Sequence, residues 1–158
     1  MHFYTHDECQ EWLTARGREL PREGGGLAWK GARIPYQAPA LQAFAQAVTD
    51  HLMRARGQRV LFWVTRGAED LDRSRLYHRL RQRHGDFRHC AAAPGHLALP
   101  YEIDHLASLL FLAMATMCEG YLLGESDRVS AFLTDEWYID FFAQRDEDLG
   151  FVEALRGA

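Results

Sequence analysis

Apolar side chains fill one continuous stretch of the chain, residues 106–118, in which only two positions are polar. Acidic residues precede this stretch, where carboxylates favour the first turn of a helix. A helix that is apolar on nearly every face must be buried on most sides, and this one is shorter than the roughly 20 residues that a membrane span requires. We therefore predict a buried central helix at about 102–119 that ends at Gly120.

Amphipathic repeats predict further helices on either side of this element. The capping-box spacing of Thr5 and Glu8 predicts a helix over 6–15. Apolar residues at three- and four-residue steps predict two more helices, over 40–56 and 73–84.

The helix predicted over 73–84 follows an acidic connection at 67–72. Leu76 and Leu80 are four residues apart, so they should share the inward face, and Phe87 could extend the same apolar stripe. A short last helix over 149–155 follows three acidic residues that suit a helix N-terminus.

The strand patterns are of two kinds. Residues 59–66 form an apolar run with polar ends, which predicts a central strand that is covered on both faces. Shorter patterns after the central helix predict an antiparallel meander over 121–125, 128–133 and 137–143. Residues 27–29 and 33–36 flank a short turn and predict a hairpin that Pro35 would confine to a sheet edge.

These elements predict an α+β fold in one globular domain over 1–158. Four to five helices should pack with a mixed or antiparallel sheet around the buried central helix. A chain of 158 residues is long enough to bury a sizeable core.

Charge, the N-terminal residues and the cysteines indicate which partners and which cell compartment to expect. The formal net charge of −4 argues against a surface that binds nucleic acid as a whole. The start of the chain lacks the basic region and apolar run of a secretory leader, and the three cysteines have unrelated spacings. We therefore expect a cytoplasmic protein with reduced thiols and no membrane segment.

The most distinctive polar feature is a basic ridge on the helix predicted over 73–84. Arg75, Arg79 and Arg83 recur at four-residue steps, so they lie along one helical face. Such a ridge could hold carboxylates or phosphates through bidentate hydrogen bonds. Alternatively it is a solvated face, or it pairs with the protein's own acids at 69–72 and 135–148.

An acidic and aromatic segment near the C-terminus is the counterpart of this basic ridge. Its residues could dock a basic partner protein, since aromatic anchors and complementary charge stabilise interfaces. The alternative is a pair of ordinary turns with helix-capping acids. The predicted contact residues are Asp135, Glu136, Trp137, Tyr138 and Asp140.

Signatures of catalysis and of metal binding are not found in the sequence. The spacing of His84, His89, Cys90 and His96 matches no compact zinc motif, and Gly24–Gly26 is not a phosphate loop. Cys90 is the one cysteine in a basic, loop-like setting that would suit a reactive thiol. We predict no catalytic residue, no metal and no cofactor.

A second hypothesis is a small enzyme or ligand-binding protein with a pocket at the N-terminus of the central helix. Its lining would be Arg79, His96, Glu102 and His105. This hypothesis requires the four side chains to converge on one cleft.

Part of the sequence resembles a pattern in small bacterial proteins of uncharacterised function, over about a quarter of the chain. The strand departs from that pattern at 66–69, where the family has a Trp-rich turn. The resemblance implies a similar α/β fold and transfers no activity. It is carried by Trp63-Val64-Thr65, by Leu76–Arg81 with Gly85-Asp86, and by Ala93–Leu97 with Tyr101-Glu102.

The function predicted first is a non-enzymatic protein-binding module of a bacterial cell, of an immunity or adaptor type. It fits a small, acidic, aromatic-rich domain without catalytic motifs. The partner would be another protein, and a basic one for the acidic surface. A homodimer is a further alternative, and nucleic-acid binding through the arginine helix ranks last.

Overall fold

A seven-stranded antiparallel sheet runs through the centre of the computed structural model, which describes residues 1–21, 25–54, 58–126 and 128–156. The strands lie in the order β1-β4-β3-β5-β6-β7-β2. Their bounds are β1 His2–Tyr4, β2 Ala28–Arg33, β3 Val60–Arg66, β4 Gly95–Ala98, β5 Glu119–Gly124, β6 Val129–Leu133 and β7 Tyr138–Ala143.

Six α-helices accompany the sheet within the described residues. None of them is long and apolar enough to cross a membrane. Their bounds are α1 His6–Thr14, α2 Ala38–Arg54, α3 Ala68–Asp72, α4 Arg75–Arg83, α5 Ile103–Ala115 and α6 Phe151–Arg156. The predicted α+β class, with an antiparallel sheet, is confirmed.

Strand β3 is buried on both faces, as its apolar run predicts. Phe62 lies in the main core, which α2 and α5 also enter, while Leu61 and Trp63 point to the opposite face. There they pack with Trp12 and Leu13 of α1. Alternation of side chains along a strand explains why one continuous apolar run serves both layers.

The C-terminal half of the sheet is the predicted meander, β5-β6-β7. The predicted hairpin at 27–36 is wrong. Residues 28–33 form the single edge strand β2, which pairs along its whole length with β7. A turn at Gly31 is not needed, and a Cβ there would lie 2.9 Å from Asp140 Oδ1, so glycine lets the two strands approach.

Helix α5 is the predicted central helix, but it ends earlier than Gly120. Its C-cap is Thr116, and Met117 takes the left-handed conformation at φ 55° that a glycine commonly occupies. Gly120 instead lies within β5, where a Cβ would be 2.6 Å from the Trp63 carbonyl oxygen. The glycine is therefore required by close strand packing and does not terminate the helix.

The region 67–87 differs most from its prediction. The acidic connection forms helix α3, and α4 begins only after Ser74, whose hydroxyl accepts a hydrogen bond from the Tyr77 amide. Leu80 is buried as predicted, whereas Leu76 and Phe87 are 60% and 78% exposed. The inward face of α4 is formed by Tyr77, Leu80 and Arg81.

Candidate functional site

The basic ridge of α4 faces solvent. Arg75, Arg79 and Arg83 are all exposed, and within the described ranges none of them has an acidic partner within 4.0 Å. Arg81, by contrast, is 1% exposed and points into the protein. The ridge therefore consists of three uncompensated cations on one helical face.

The acids of the C-terminal region do not pair with this ridge. Other cations hold most of them at salt-bridge distance: Asp135 with Arg66 (3.2 Å), Asp146 with Lys30 (3.5 Å), Glu147 and Asp148 with Arg145 (2.6 and 3.1 Å), and Glu153 with Arg156 (3.1 Å). The sequence left open whether the two charged regions meet within one molecule. In the part of the chain that the structure describes, they do not.

A groove of about 390 Å³ runs between α2, α4 and α5, beside the basic ridge. Leu76, Leu80, Ala107, Phe111 and Leu112 supply an apolar lining. Leu76 is 60% exposed in this groove. Polar groups from all three helices border this lining: Gln42, Gln46, Arg79, Arg83, His105 and Ser108.

The four residues predicted to form the alternative pocket do not converge. Arg79 and His105 both line the groove. Glu102 is buried, where it accepts hydrogen bonds from the Met1 amino group and from the Leu99 amide (2.8 Å). His96 is fully buried on β4 and does not reach the groove.

Glu102 is nevertheless connected to the groove through histidines. His84 Nδ1 lies 3.5 Å from Glu102 Oε1, and His84 Nε2 shares a 3.1 Å hydrogen bond with His105 Nδ1. Burial raises the pKa of Glu102, but hydrogen bonds from the Met1 amine and the Leu99 amide outweigh it, so the pKa lies below its usual value. Burial, with the nearby amino group, lowers the pKa of His84.

A second polar network fixes the inward face of α4. Arg81 Nη1 donates to Tyr77 Oη (2.6 Å) and to the Ala93 carbonyl (3.1 Å), and its Nη2 lies 3.2 Å from Asp86 Oδ2. Tyr77 Oη is also bonded to His96 Nε2 at 2.7 Å. Burial, together with the Arg81 charge, lowers the pKa of His96 to about 3, so this imidazole stays neutral in the core.

The predicted acidic contact residues lie on different surfaces. Tyr138 and Asp140 point to the half of the sheet that α1 does not cover, beside the partly exposed Tyr121 and Phe132. Trp137 packs on the other side, with its ring 4.7 Å from that of Tyr36. Asp135 pairs with Arg66, and Glu136 is exposed at the turn. The set therefore does not form one continuous patch.

Cys90 is not a reactive thiol in this structure. It is fully buried in a short 3₁₀ turn, and burial raises its pKa to about 12. Its backbone amide donates to Asp72 Oδ1 at 2.7 Å, which makes Asp72 a structural acceptor for this turn. The basic residues around Cys90 in the sequence do not stabilise a thiolate.

Comparison of the chain with models of protein families, with curated proteins and with solved structures gives no match. The resemblance to small bacterial proteins therefore stays a prediction. The groove and the charges that border it are therefore the features that bear on function.

Proposed function

We propose that this protein is a non-enzymatic protein-binding module and that the groove between α2, α4 and α5 is its contact site. The occupant we propose is an amphipathic helix of a partner protein, with apolar residues on one side and acidic residues at four-residue spacing beside them. The observation that supports this proposal is the coincidence of an open apolar groove with three arginines that have no acidic partner among the described residues.

Charge complementarity decides the chemistry of the partner. With a rise of about 1.5 Å per residue, Arg75, Arg79 and Arg83 are spaced about 6 Å apart along α4. Acids at i, i+4 and i+8 of a partner helix have the same spacing, so a helix parallel to α4 would place each carboxylate beside a guanidinium. Arginine suits this role because its planar group binds a carboxylate bidentately.

The apolar lining gives the second half of the recognition. Leu76 projects from α4 and is 60% exposed, and Phe111 and Leu112 of α5 are partly exposed beneath it. A helix laid into such a groove contributes apolar residues at i, i+3, i+4 and i+7. Covering Leu76 alone would remove apolar surface from water, which stabilises the complex by about 25 cal/mol for each Å² that is buried.

An immunity-type or adaptor role in a bacterial cell is the function such a module would serve, as the composition also indicates. The acidic residues Asp135, Glu136 and Asp140 remain predicted contact residues for a basic partner, although they do not form one patch. Replacing these three by Ala should weaken the binding of such a partner without unfolding the domain, and unchanged affinity would exclude them as contact residues.

A second candidate is a small-molecule site, because Arg79 and His105 do line one groove. A volume of about 390 Å³ is within the usual range for ligand pockets. The ligand would be a carboxylate with an apolar body. An enzyme is less well supported, since His96 and Glu102 are both engaged in buried hydrogen bonds away from the groove.

The test uses a designed peptide helix with Leu at groove-facing positions and Glu at three successive four-residue steps. The control peptide has Gln in place of Glu. Fluorescence anisotropy should show tighter binding of the Glu peptide, and the R79A/R83A variant should weaken it at least about tenfold, since hydrogen bonds to charged groups contribute about 1.5–3 kcal/mol each. The R73A/R128A variant removes the same charge elsewhere and should bind normally.

Equal binding of the Glu and Gln peptides, or equal effects of the two double variants, would contradict the proposal. Leu76→Ser should also weaken the peptide, because the residue is exposed in the groove and contributes little to the core. Tight binding of a small carboxylate with none of the peptide would favour the second candidate. Duplex DNA that displaces the peptide in a salt-dependent manner would favour the nucleic-acid alternative.

A further inference from the structure

His84, Glu102 and His105 form a compact cluster of metal-ligand side chains. His84 caps the C-terminus of α4, Glu102 precedes α5, and His105 lies in the first turn of α5. One ligand atom from each residue lies within 4.8 Å of the other two. Packing of α4 against α5 therefore brings together three ligands that the sequence separates by about 20 residues.

The two imidazoles of the cluster have the spacing of ligands in a tetrahedral zinc site. Nitrogen and oxygen ligands at about 2.0–2.1 Å from zinc are about 3.3 Å from one another. His84 Nε2 and His105 Nδ1 are 3.1 Å apart, which matches this value. Glu102 Oε1 approaches the other ring nitrogen of His84, 3.5 Å from Nδ1, so the carboxylate would have to move toward an ion bound at Nε2. One ligand atom from each of the three residues lies within 4.8 Å of the others, so this movement is short. An ion between the imidazoles would replace the proton that they now share.

The surroundings of the cluster support this coordination. The His84 ring is held from both sides, because its Nδ1 lies 3.2 Å from the Met1 amino group and its Nε2 lies 3.1 Å from His105 Nδ1. Glu102 Oε2 accepts a 2.8 Å hydrogen bond from the Leu99 amide, which fixes the carboxylate, as neighbouring groups orient metal ligands in known sites. The Met1 amino group contacts Oε1 and would have to share or yield that oxygen.

A second cluster, Asp72, His78 and His89, is less suited to a metal. Asp72 Oδ1 already accepts from the Cys90 amide at 2.7 Å, and His78 Nε2 is bonded to the Asp72 carbonyl at 2.6 Å. The His89 side chain is 73% exposed, so its position is not fixed by packing. This cluster serves as an internal control.

We propose that His84, Glu102 and His105 bind one divalent ion of the zinc class. The inference does not rest on the proposed function of the groove. It departs from the sequence-based expectation of no metal, because the ligand set arises from the packing of two helices and has no motif in the sequence.

The test uses tag-free protein that has been treated with a chelator, with Zn²⁺ and Co²⁺ as the probes. Calorimetry should give one site, and Co²⁺ should show the visible absorption of a tetrahedral N,O site. H84A and H105A should each lose at least about tenfold in affinity, and the conservative E102Q should lose about as much, since removing groups from a metal site has effects of at least this size.

The H78A/H89A variant should bind zinc like the parent protein. Binding that is lost in H78A/H89A but kept in H105A would overturn the proposal, as would the absence of a one-to-one site at micromolar concentrations. His105 is partly exposed, so H105A should stay folded, and its melting temperature without metal provides the check.

Discussion

The ion pair between Arg81 and Asp86 gives the most direct test of how α4 is held in the fold. Arg81 is 1% exposed, and Asp86 Oδ2 is 3.2 Å from its Nη2. Replacing Asp86 by Asn removes the one anion that contacts Arg81 among the described residues. A buried charge left without its partner costs about 3–5 kcal/mol.

The size of the effect follows from the contacts. A loss of about 3–5 kcal/mol corresponds to a fall of about 6–20 °C in melting temperature for a domain of this size. Arg81→Met should cost less, about 1–3 kcal/mol, because it removes the charge together with two hydrogen bonds. Asp86 would keep Arg88, whose Nη2 lies 2.7 Å from it.

The assay is urea unfolding at pH 7, monitored by tryptophan fluorescence. It compares the free energies of unfolding of D86N, R81M and the double variant. The D86N variant should be less stable than R81M, and the double variant should resemble R81M. A cost of under about 1 kcal/mol for D86N, or a larger cost for R81M than for D86N, would refute the reasoning about a buried unpaired charge.

The same pair has a pH dependence of known sign. Burial raises the pKa of Asp86, but the hydrogen bonds from Arg88 and the Arg81 charge outweigh it and lower the pKa from 3.8 to about 2. A lowered pKa means that the ionised carboxylate adds stability above about pH 4, and that this stability is lost as the pH falls through 2. The difference in stability between the parent protein and D86N should therefore shrink over that interval.

Three further predictions concern the backbone and the thiols. Gly120→Ala should destabilise the protein by about 1–3 kcal/mol in urea unfolding, because its Cβ would lie 2.6 Å from the Trp63 carbonyl; no change would mean that β3 and β5 can separate freely. Met117→Gly should stabilise the protein by about 1 kcal/mol and so raise its melting temperature, since φ is 55° and the side chain is 52% exposed; a lower melting temperature would show that the side chain contributes packing. Ellman's reagent should find no fast thiol in the native protein and react fully after unfolding, because Cys9, Cys90 and Cys118 are all buried; a fast thiol under native conditions would contradict this.

Local patterns predicted the elements whose burial depends on their own sequence. The apolar run of β3, the capping box of α1 and the meander after α5 are all where their periodicity places them. Strand β3 is apolar on both faces and is covered on both, whereas the side chains of α1 and of the meander repeat or alternate so that the apolar ones face the core. The local sequence is sufficient to predict these elements, because it alone decides which of their faces points inward.

Helix α4 shows why the site could not be predicted in full. The sequence prediction placed Leu76 inside, since apolar residues are usually buried, and an arginine is usually exposed. In the structure Leu76 is exposed and Arg81 is buried, where its Nη1 donates to Tyr77 and Ala93 and its Nη2 lies 3.2 Å from the Asp86 carboxylate. Tyr77, Leu80 and Arg81 are spaced so that they lie on one face of a helix. This spacing was the signal in the sequence that could have indicated the inward face.

The groove itself depends on tertiary contacts. Arg79 and His105 belong to different helices, and only the packing of α4 against α5 places both on one surface. The predicted pocket included Arg79 and His105, which line this groove, but it also included His96, whose strand position buries it completely. The spacing of residues in the sequence does not show which polar side chains reach solvent once neighbouring elements have packed together.

The two faces of α4 together explain why its basic ridge is the best candidate for function. The inward face places its one arginine beside a carboxylate, and most of the exposed arginines outside the ridge pair with acids. The outward face does the opposite: it repeats a positive charge every four residues, which destabilises an isolated helix by a few tenths of a kcal/mol per pair. No acid in the described ranges offsets this repulsion. A local rule that is broken without compensation inside the molecule is expected at a functional surface, where a partner supplies the missing charge.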